Sequence, residues 1–281
     1  MQRIDAHQHF WQYNPIRDSW ITGDMAKIQR DFLPADLAPL LKQNNIAGCI
    51  AVQADQSLAE TDFLLGLADQ YDFIKGVVGW VDLKSPELAS IVDRLEDRPI
   101  LKGFRHILQG EANIPSFLAD GLFEKGVQYI LSKGYSYDLL VYHDQLASIQ
   151  PLVEKLSAGD NSAKLVLDHI GKPDLKTGEI NTWQMQIRQL AKFPNVYCKV
   201  SGLVTEANWH HWKIEDLKPA LDTVLDAFGA DRLMFGSDWP VCLVATSYDK
   251  WLEVLTDYFE PLSDQDKKAI FGGNCTRFYG I

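Results

Sequence analysis

The stretch MQRIDAHQHFW, Met1–Trp11, decides how the rest of the chain is read. Arg3–Ala6 is a candidate β-strand that runs directly into HQHFW at positions 7–11. An open, doubly wound α/β sheet would carry a glycine-rich phosphate-binding turn at that point. Two histidines and two aromatic residues stand there instead, which fits a barrel whose chemistry sits on the loops after each strand.

Outward from this start, short β-branched runs alternate with longer segments of helical period, the pattern of parallel strands each followed by a crossover helix. The strand candidates are Arg3–Ala6, Gly48–Gln53, Ile74–Val81, Leu101–Phe104, Leu139–Tyr142, Lys164–Asp168, Val196–Lys199 and Arg232–Phe235. Helix candidates lie at Ala35–Gln43, Ser57–Gln70, Glu87–Leu95, Phe117–Lys133, Gln145–Leu156, Thr182–Phe193, Ile214–Phe228 and Ser247–Phe259. Pro34 suits a first helical turn, Ser57 with Glu60 spells a capping box, and Thr182 reads as an N-cap. A last helix near Asp264–Phe271 is expected to cover the barrel's end, and the irregular stretch Trp11–Leu33 reads as an active-site loop. No linker, repeat or low-complexity tract divides the chain. Residues 1–281 are therefore expected to form a single (β/α)8, or TIM, barrel domain with its active site at the C-terminal ends of the strands.

Composition narrows the function. With 46% hydrophobic and 23% charged residues, the chain can bury a large core without metals or disulfides. A net charge of -11 and the lack of a basic stripe argue against nucleic acid as a partner. No leader-like start or long apolar run argues for a membrane, so a cytoplasmic enzyme is expected. Cys49, Cys198, Cys242 and Cys275 lack the spacing of metal clips or redox pairs and read as small apolar fillers.

The histidines carry the chemical signal. All 7 fall at the C-terminal end of a proposed strand or in the loop that follows: His7, His9, His106, His143, His169, His210 and His211. Strand alternation puts His7 and His9 on one face, where the two imidazoles can chelate a divalent ion or polarise an oxygen. Asp238, in FGSDWPV, lies next to them once a barrel closes its first strand on its eighth. A carboxylate there can ligate a metal or take a proton from water. His169 follows LVLD at a strand rim, and Arg105 with His106 ends LKGF, offering fixed guanidinium donors to a ligand. His143 divides between substrate binding and the start of the next helix, while at least one of the adjacent His210 and His211 reads as solvent-exposed. Ser201 lacks the nucleophile-elbow motif and is at most a hydrogen-bonding residue. Trp11, Trp20, Trp80, Trp209, Trp212 and Trp239 lie near proposed loops or strand ends; flat apolar faces there suit a sugar ring, with Trp11, Trp80 and Trp239 taken as substrate-binding candidates.

Taken together, DAHQHFW (5–11), KGFRHILQ (102–109), LDHIGKP (167–173), KVSGL (199–203) and FGSDWPV (235–241) resemble the lactonase branch of the amidohydrolase superfamily, the amidohydrolase 2 group, and within it the sugar-acid lactonases. The resemblance implies opening of a sugar-derived lactone, such as an L-fucono- or L-rhamnono-lactone, to the sugar acid. It implies that Asp238 activates water, that His9, His169 and Arg105 polarise the lactone carbonyl, and that His7 completes the cluster. Superfamily members with two metals hold them with a carbamylated lysine ending the fourth strand; Arg105-His106 stands there in this chain, which leaves one ion or none. A lactone is electrophilic enough to be opened without a Lewis acid. If one divalent cation binds, His7, His9 and Asp238 are its ligands and zinc suits them best. The alternatives are metal-dependent decarboxylation or amide hydrolysis on the same fold and, more remotely, non-catalytic binding of a sugar acid.

Overall fold

Strands covered on both faces read as near-continuous apolar runs, and such runs build the eight-stranded sheet of the computed structural model, which describes residues 2–158 and 163–281. The strands are β1 (Arg3–Gln8), β2 (Ile46–Val52), β3 (Ile74–Gly79), β4 (Leu101–His106), β5 (Ser136–Leu139), β6 (Lys164–Leu167), β7 (Val196–Val200) and β8 (Leu233–Phe235). Each pairs in parallel with the next in chain order. The ring is joined just beyond β8: the Asp238 N–H donates to the His7 carbonyl at 2.8 Å and the His9 N–H to the Trp239 carbonyl at 2.7 Å. This is the expected (β/α)8 barrel.

Helices cover the outside, α1 (Pro34–Gln43), α2 (Leu58–Ala68), α3 (Leu88–Leu95), α4 (Ile114–Leu118), α5 (Leu122–Ser132), α6 (Leu146–Ser157), α7 (Asn181–Leu190), α8 (Ile214–Phe228), α9 (Tyr248–Tyr258) and α10 (Asp264–Lys268), and α11 (Asn274–Tyr279) closes one end. Their apolar stripes, for example Leu64 and Leu65, Val127 and Ile130, or Leu221 and Val224, are buried in the main core. Each such side chain contributes roughly 1.5–3 kcal/mol. A second apolar cluster fills the barrel's lower interior, where Ile4, Ile50, Val78, Val166 and Met234 meet Phe278 and Tyr279 of α11. No helix among the described residues is long and apolar enough to cross a membrane.

Several elements differ from the sequence reading. The fifth strand is Ser136–Leu139 rather than Leu139–Tyr142. The run Leu139–Val141 favoured the later register, but the true strand spends a buried position on Asp138, whose charge is matched by Lys199. The expected helix Phe117–Lys133 is broken into α4 and α5 by Gly121, which takes a left-handed φ of 69°. Thr182 lies inside α7, which starts at Asn181 after the buried Ile180. The barrel is plugged by α11, not by a helix over Asp264–Phe271: a π-type turn over Ala269–Gly273 separates α10 from it. That turn presses Gly272 against β1 so closely that a Cβ would meet the Gln2 carbonyl oxygen at 2.2 Å.

The capping box at α2 is half made. Ser57 Oγ accepts the Glu60 N–H at 3.1 Å, but the Glu60 carboxylate accepts from the Ala54 N–H at 3.0 Å instead of reaching back to Ser57. Burial pushes the Glu60 carboxyl up to about 7. Folded protein therefore holds a proton that the unfolded chain, with a carboxyl near 4.5, releases, so stability falls as pH rises from about 4.5 through 7. In urea titrations from pH 5 to 8, Glu60→Gln is expected to flatten this decline and to be more stable than wild type at pH 8 by on the order of 2–3 kcal/mol; parallel slopes for the two proteins would contradict it.

Candidate active site

His7 sits one residue before the end of β1 and His9 one residue beyond it, so the pleat turns both imidazoles inward, with their Nε2 atoms 3.2 Å apart. His9 Nδ1 lies 2.8 Å from the Val52 carbonyl oxygen, which can only accept. A neutral His9 therefore carries its proton on Nδ1 and presents a bare Nε2 lone pair to the site. Asp238 Oδ1 lies 3.4 Å from that nitrogen and 3.9 Å from His169 Nε2. On its other side, His169 Nδ1 is 2.9 Å from Ser201 Oγ. Burial lowers the basicity of His7 and His169 well below that of an ordinary imidazole, so both are neutral near pH 7. Burial alone would raise the Asp238 carboxyl, but the His169 ring beside it and the Lys172 ammonium hold it below its usual range, and it is ionised.

Unusual backbone aims these groups. His169, Ile170, Gly171 and Lys172 all have left-handed φ values, 52°, 48°, 72° and 46°, directly after β6, and Asp238 has one of 55°. A β-branched residue such as Ile170 pays in strain for that conformation. The turn is held by Trp183 Nε1 donating to the Ile170 carbonyl at 2.9 Å and by the Lys172 N–H donating to the His169 carbonyl at 2.9 Å. Gly202, at φ 62°, makes room for the His169 ring, since a Cβ there would meet Nδ1 at 2.5 Å.

Beneath the histidines lies a layer of fully buried charge. Asp168 Oδ2 accepts from the Arg105 guanidinium at 2.9 Å, and its Oδ1 lies 3.1 Å from Lys199 Nζ and 3.2 Å from His7 Nδ1. Lys199 also pairs with Asp138, and Arg105 donates to the carbonyl and side chain of Gln53. Burial opposes charge on Asp168, yet Lys199, His7 and Arg105 hold it well below the usual carboxylate range; Asp138 and Asp168 likewise keep Lys199 protonated.

Above them a cavity of about 500 Å³ opens between the loops that follow the strands. His9, Arg105, His169 and Asp238 line it together with Trp20, Trp209, Tyr142, Gln109, Lys172 and Glu206. A second concavity of about 570 Å³ lies on the outer wall among α4, α5 and α6 and has no histidine in its lining. The structure thus brings together His7, His9, Arg105, His169 and Asp238. Trp11 and Trp239 are buried behind the cavity, Trp11 donating from Nε1 to the Arg30 carbonyl and Trp239 packing edge-on against Phe10 and Phe32. His106 is engaged by Glu111 at 2.8 Å and stacks on Phe117, with Trp80 Nε1 at 3.5 Å, so neither it nor Trp80 lines the cavity. His143 opens the 3-10 turn that precedes α6 and lies outside the lining, and His210 and His211 are exposed.

Sequence reasoning missed Asp138, Lys199, Lys172, Glu206 and the part played by Asp168. One signal was available: Lys199 interrupts the apolar strand VYCKV, and a charge in a doubly covered strand requires a buried partner. Because its loss strands the charges of Asp138 and Asp168 in the interior, Lys199→Met is expected to lower unfolding free energy by about 3–5 kcal/mol. Guanidinium melts of Lys199→Met and of Lys199→Met/Asp138→Leu check this, the double variant recovering part of the loss; a cost below about 1 kcal/mol for the single variant would show the pair to be dispensable.

Comparisons with known proteins cover nearly the whole chain. Across 99% of this chain and 96% of its own length, the L-fucono-1,5-lactonase of Burkholderia multivorans is 42% identical, and the L-fucono-1,5-lactonase of Burkholderia ambifaria is 35% identical over the same shares. A crystal structure of an amidohydrolase from Burkholderia multivorans with bound zinc superposes with a TM-score of 0.95 at 42% identity, covering 100% of both chains. Residues 4–281 match the amidohydrolase family, and the chain belongs to it.

Proposed function

We propose that this protein is a lactonase that opens a sugar-derived lactone, with L-fucono-1,5-lactone the foremost substrate, to the sugar acid. The observation that carries the proposal is the ionised Asp238 carboxylate facing His9 and His169 at the floor of a cavity of about 500 Å³. The 42% identity to an L-fucono-1,5-lactonase over nearly the whole chain supports the substrate class. The four buried, free cysteines fit a reducing, cytoplasmic setting.

In this mechanism the substrate is a small molecule whose ring lies in the cavity, and a water sits between Asp238 and the bare Nε2 of His9, both of them acceptors. Asp238 removes a proton as the water oxygen attacks the lactone carbonyl carbon. Charge moves onto the carbonyl oxygen, which takes hydrogen bonds from His169 Nε2–H, whose Nδ1 is satisfied by Ser201, and from the Arg105 guanidinium. His9, its Nδ1–H engaged by the Val52 carbonyl, turns an acceptor nitrogen to the cavity, so its part is to orient the water. The acyl carbon–ring oxygen bond then breaks, and the proton held by Asp238 passes to the departing ring oxygen, giving the hydroxy acid. The buried layer of Asp168, Lys199 and Gln53 fixes His7 and the guanidinium without reaching the substrate.

The donor set also fits a divalent cation. His7, His9 and Asp238 place ligand atoms within 4.8 Å of one another, all buried, and the Val52 carbonyl orients His9 as an outer-shell partner orients a ligating imidazole. Two nitrogens, one oxygen and an open position suit zinc, which when bound would acidify water and polarise the carbonyl.

Asp238→Asn is expected to lower kcat by about 10²–10⁴-fold while the fold and sugar-acid binding persist, measured with a pH-indicator assay on L-fucono-1,5-lactone and by calorimetry with L-fuconate; turnover within a few-fold of wild type would remove Asp238 from its role. Equilibrium dialysis is expected to show one zinc per chain, retained weakly or not at all by His7→Asn/His9→Asn. Undiminished zinc in that double variant would place the ion elsewhere.

A further inference from the structure

Lys172 and Glu206 enter the cavity from the loops after β6 and β7, at its rim rather than its floor. Their charged groups are 3.6 Å apart, longer than a hydrogen bond, and both side chains are largely buried. Among the described residues neither side chain has another hydrogen-bond partner within the protein. This pair stands at the end of the left-handed turn His169–Lys172, which carries Lys172 to the cavity beside His169, the Lys172 N–H donating to the His169 carbonyl at 2.9 Å. Gln109, which also lines the cavity, has a buried Oε1 with no partner. A half-satisfied carboxylate, ammonium and amide in one wall call for ligand groups that both donate and accept.

A hydroxyl does both. Set between Lys172 and Glu206, one secondary alcohol accepts from the ammonium and donates to the carboxylate, while a neighbouring one meets the Gln109 amide in the same lining. Lys172 Nζ lies over the Tyr142 ring, 5.1 Å from its centre, and the aromatic faces of Trp20 and Trp209 in the same cavity supply apolar surface for the C–H side of the lactone ring. A lactone without hydroxyls would leave two charged groups and an amide dehydrated with no exchange partner, the condition under which binding sites discriminate most strongly.

Resting on the lactonase reading above, we infer that the Lys172–Glu206 pair, with Gln109, reads the ring hydroxyls and makes this site selective for polyhydroxylated lactones over unsubstituted ones. The test compares wild type, Glu206→Gln, Lys172→Met and Lys172→Arg on L-fucono-1,5-lactone and on δ-valerolactone. In Glu206→Gln and Lys172→Met, the ratio of kcat/KM for the hydroxylated over the bare lactone is expected to fall about tenfold or more, chiefly through KM of the hydroxylated substrate, with partial recovery in Lys172→Arg. Calorimetry with L-fuconate, which needs no turnover, should show the same loss of affinity. A ratio held within about twofold in both variants, or parallel loss on both lactones with unweakened L-fuconate binding, would overturn the inference and leave the pair a structural rim contact. Failure of wild type to open any lactone is a different result: it removes the proposed function itself and this inference with it.

Discussion

Asp168 is a carboxylate without solvent that touches the cationic groups of Arg105 and Lys199 and the imidazole of His7 at once. Removing such a group from water costs several kcal/mol, and only dense, well-directed pairing offsets that cost. The arrangement ties β1, β4, β6 and β7 together through side chains, adding to the backbone ladder a set of contacts that specify which strand faces which. Its chemical effect is indirect. Arg105 is anchored by Asp168 and Gln53, so its guanidinium enters the cavity in one orientation, and His7 is wedged beneath His9 with little freedom to turn.

The site divides into a floor and a rim that follow from different parts of the fold. The floor is made by residues at or just beyond strand ends, where the ladder and the charge layer leave side chains few alternatives. The rim is made by loops, and its members differ in kind: aromatic faces, an amide and an ion pair. This is the usual partition of a barrel enzyme, in which rigid strand ends carry the reaction and loops carry selectivity. Here the two are coupled, because one left-handed turn positions both His169 below and Lys172 above.

Much of this was legible in the sequence. Alternation of apolar runs with helical periods gave the barrel, and the placement of histidines after strands marked its active end. His7, His9, His169, Arg105 and Asp238 were identifiable because chemical side chains at the ends of apolar strands have little structural reason to be there. The tryptophans were harder: Trp11 and Trp239 have the same local signature as Trp20 and Trp209, but only the latter two line the cavity, and the difference lies in how the long first loop folds back. Lys199 signalled a buried partner by interrupting an apolar strand but could not name it, and Asp138 was invisible alone, because the two lie 61 positions apart. The misplaced fifth strand has the same origin, because an apolar run outweighed a polar residue whose compensation lay elsewhere. Lys172 and Glu206 look like ordinary surface charges until the turn of positive φ values brings them over the cavity.

The seam between first and last strands is sewn by the amides of Asp238 and His9, two residues whose side chains also face the reacting space. Circular continuity and the make-up of the site are therefore a single structural event: a chain with its seam sprung could keep seven of its strand pairings and still lose Asp238 from its place beside His9. Under the proposed mechanism turnover doubles as a gauge of whether the circle has been completed.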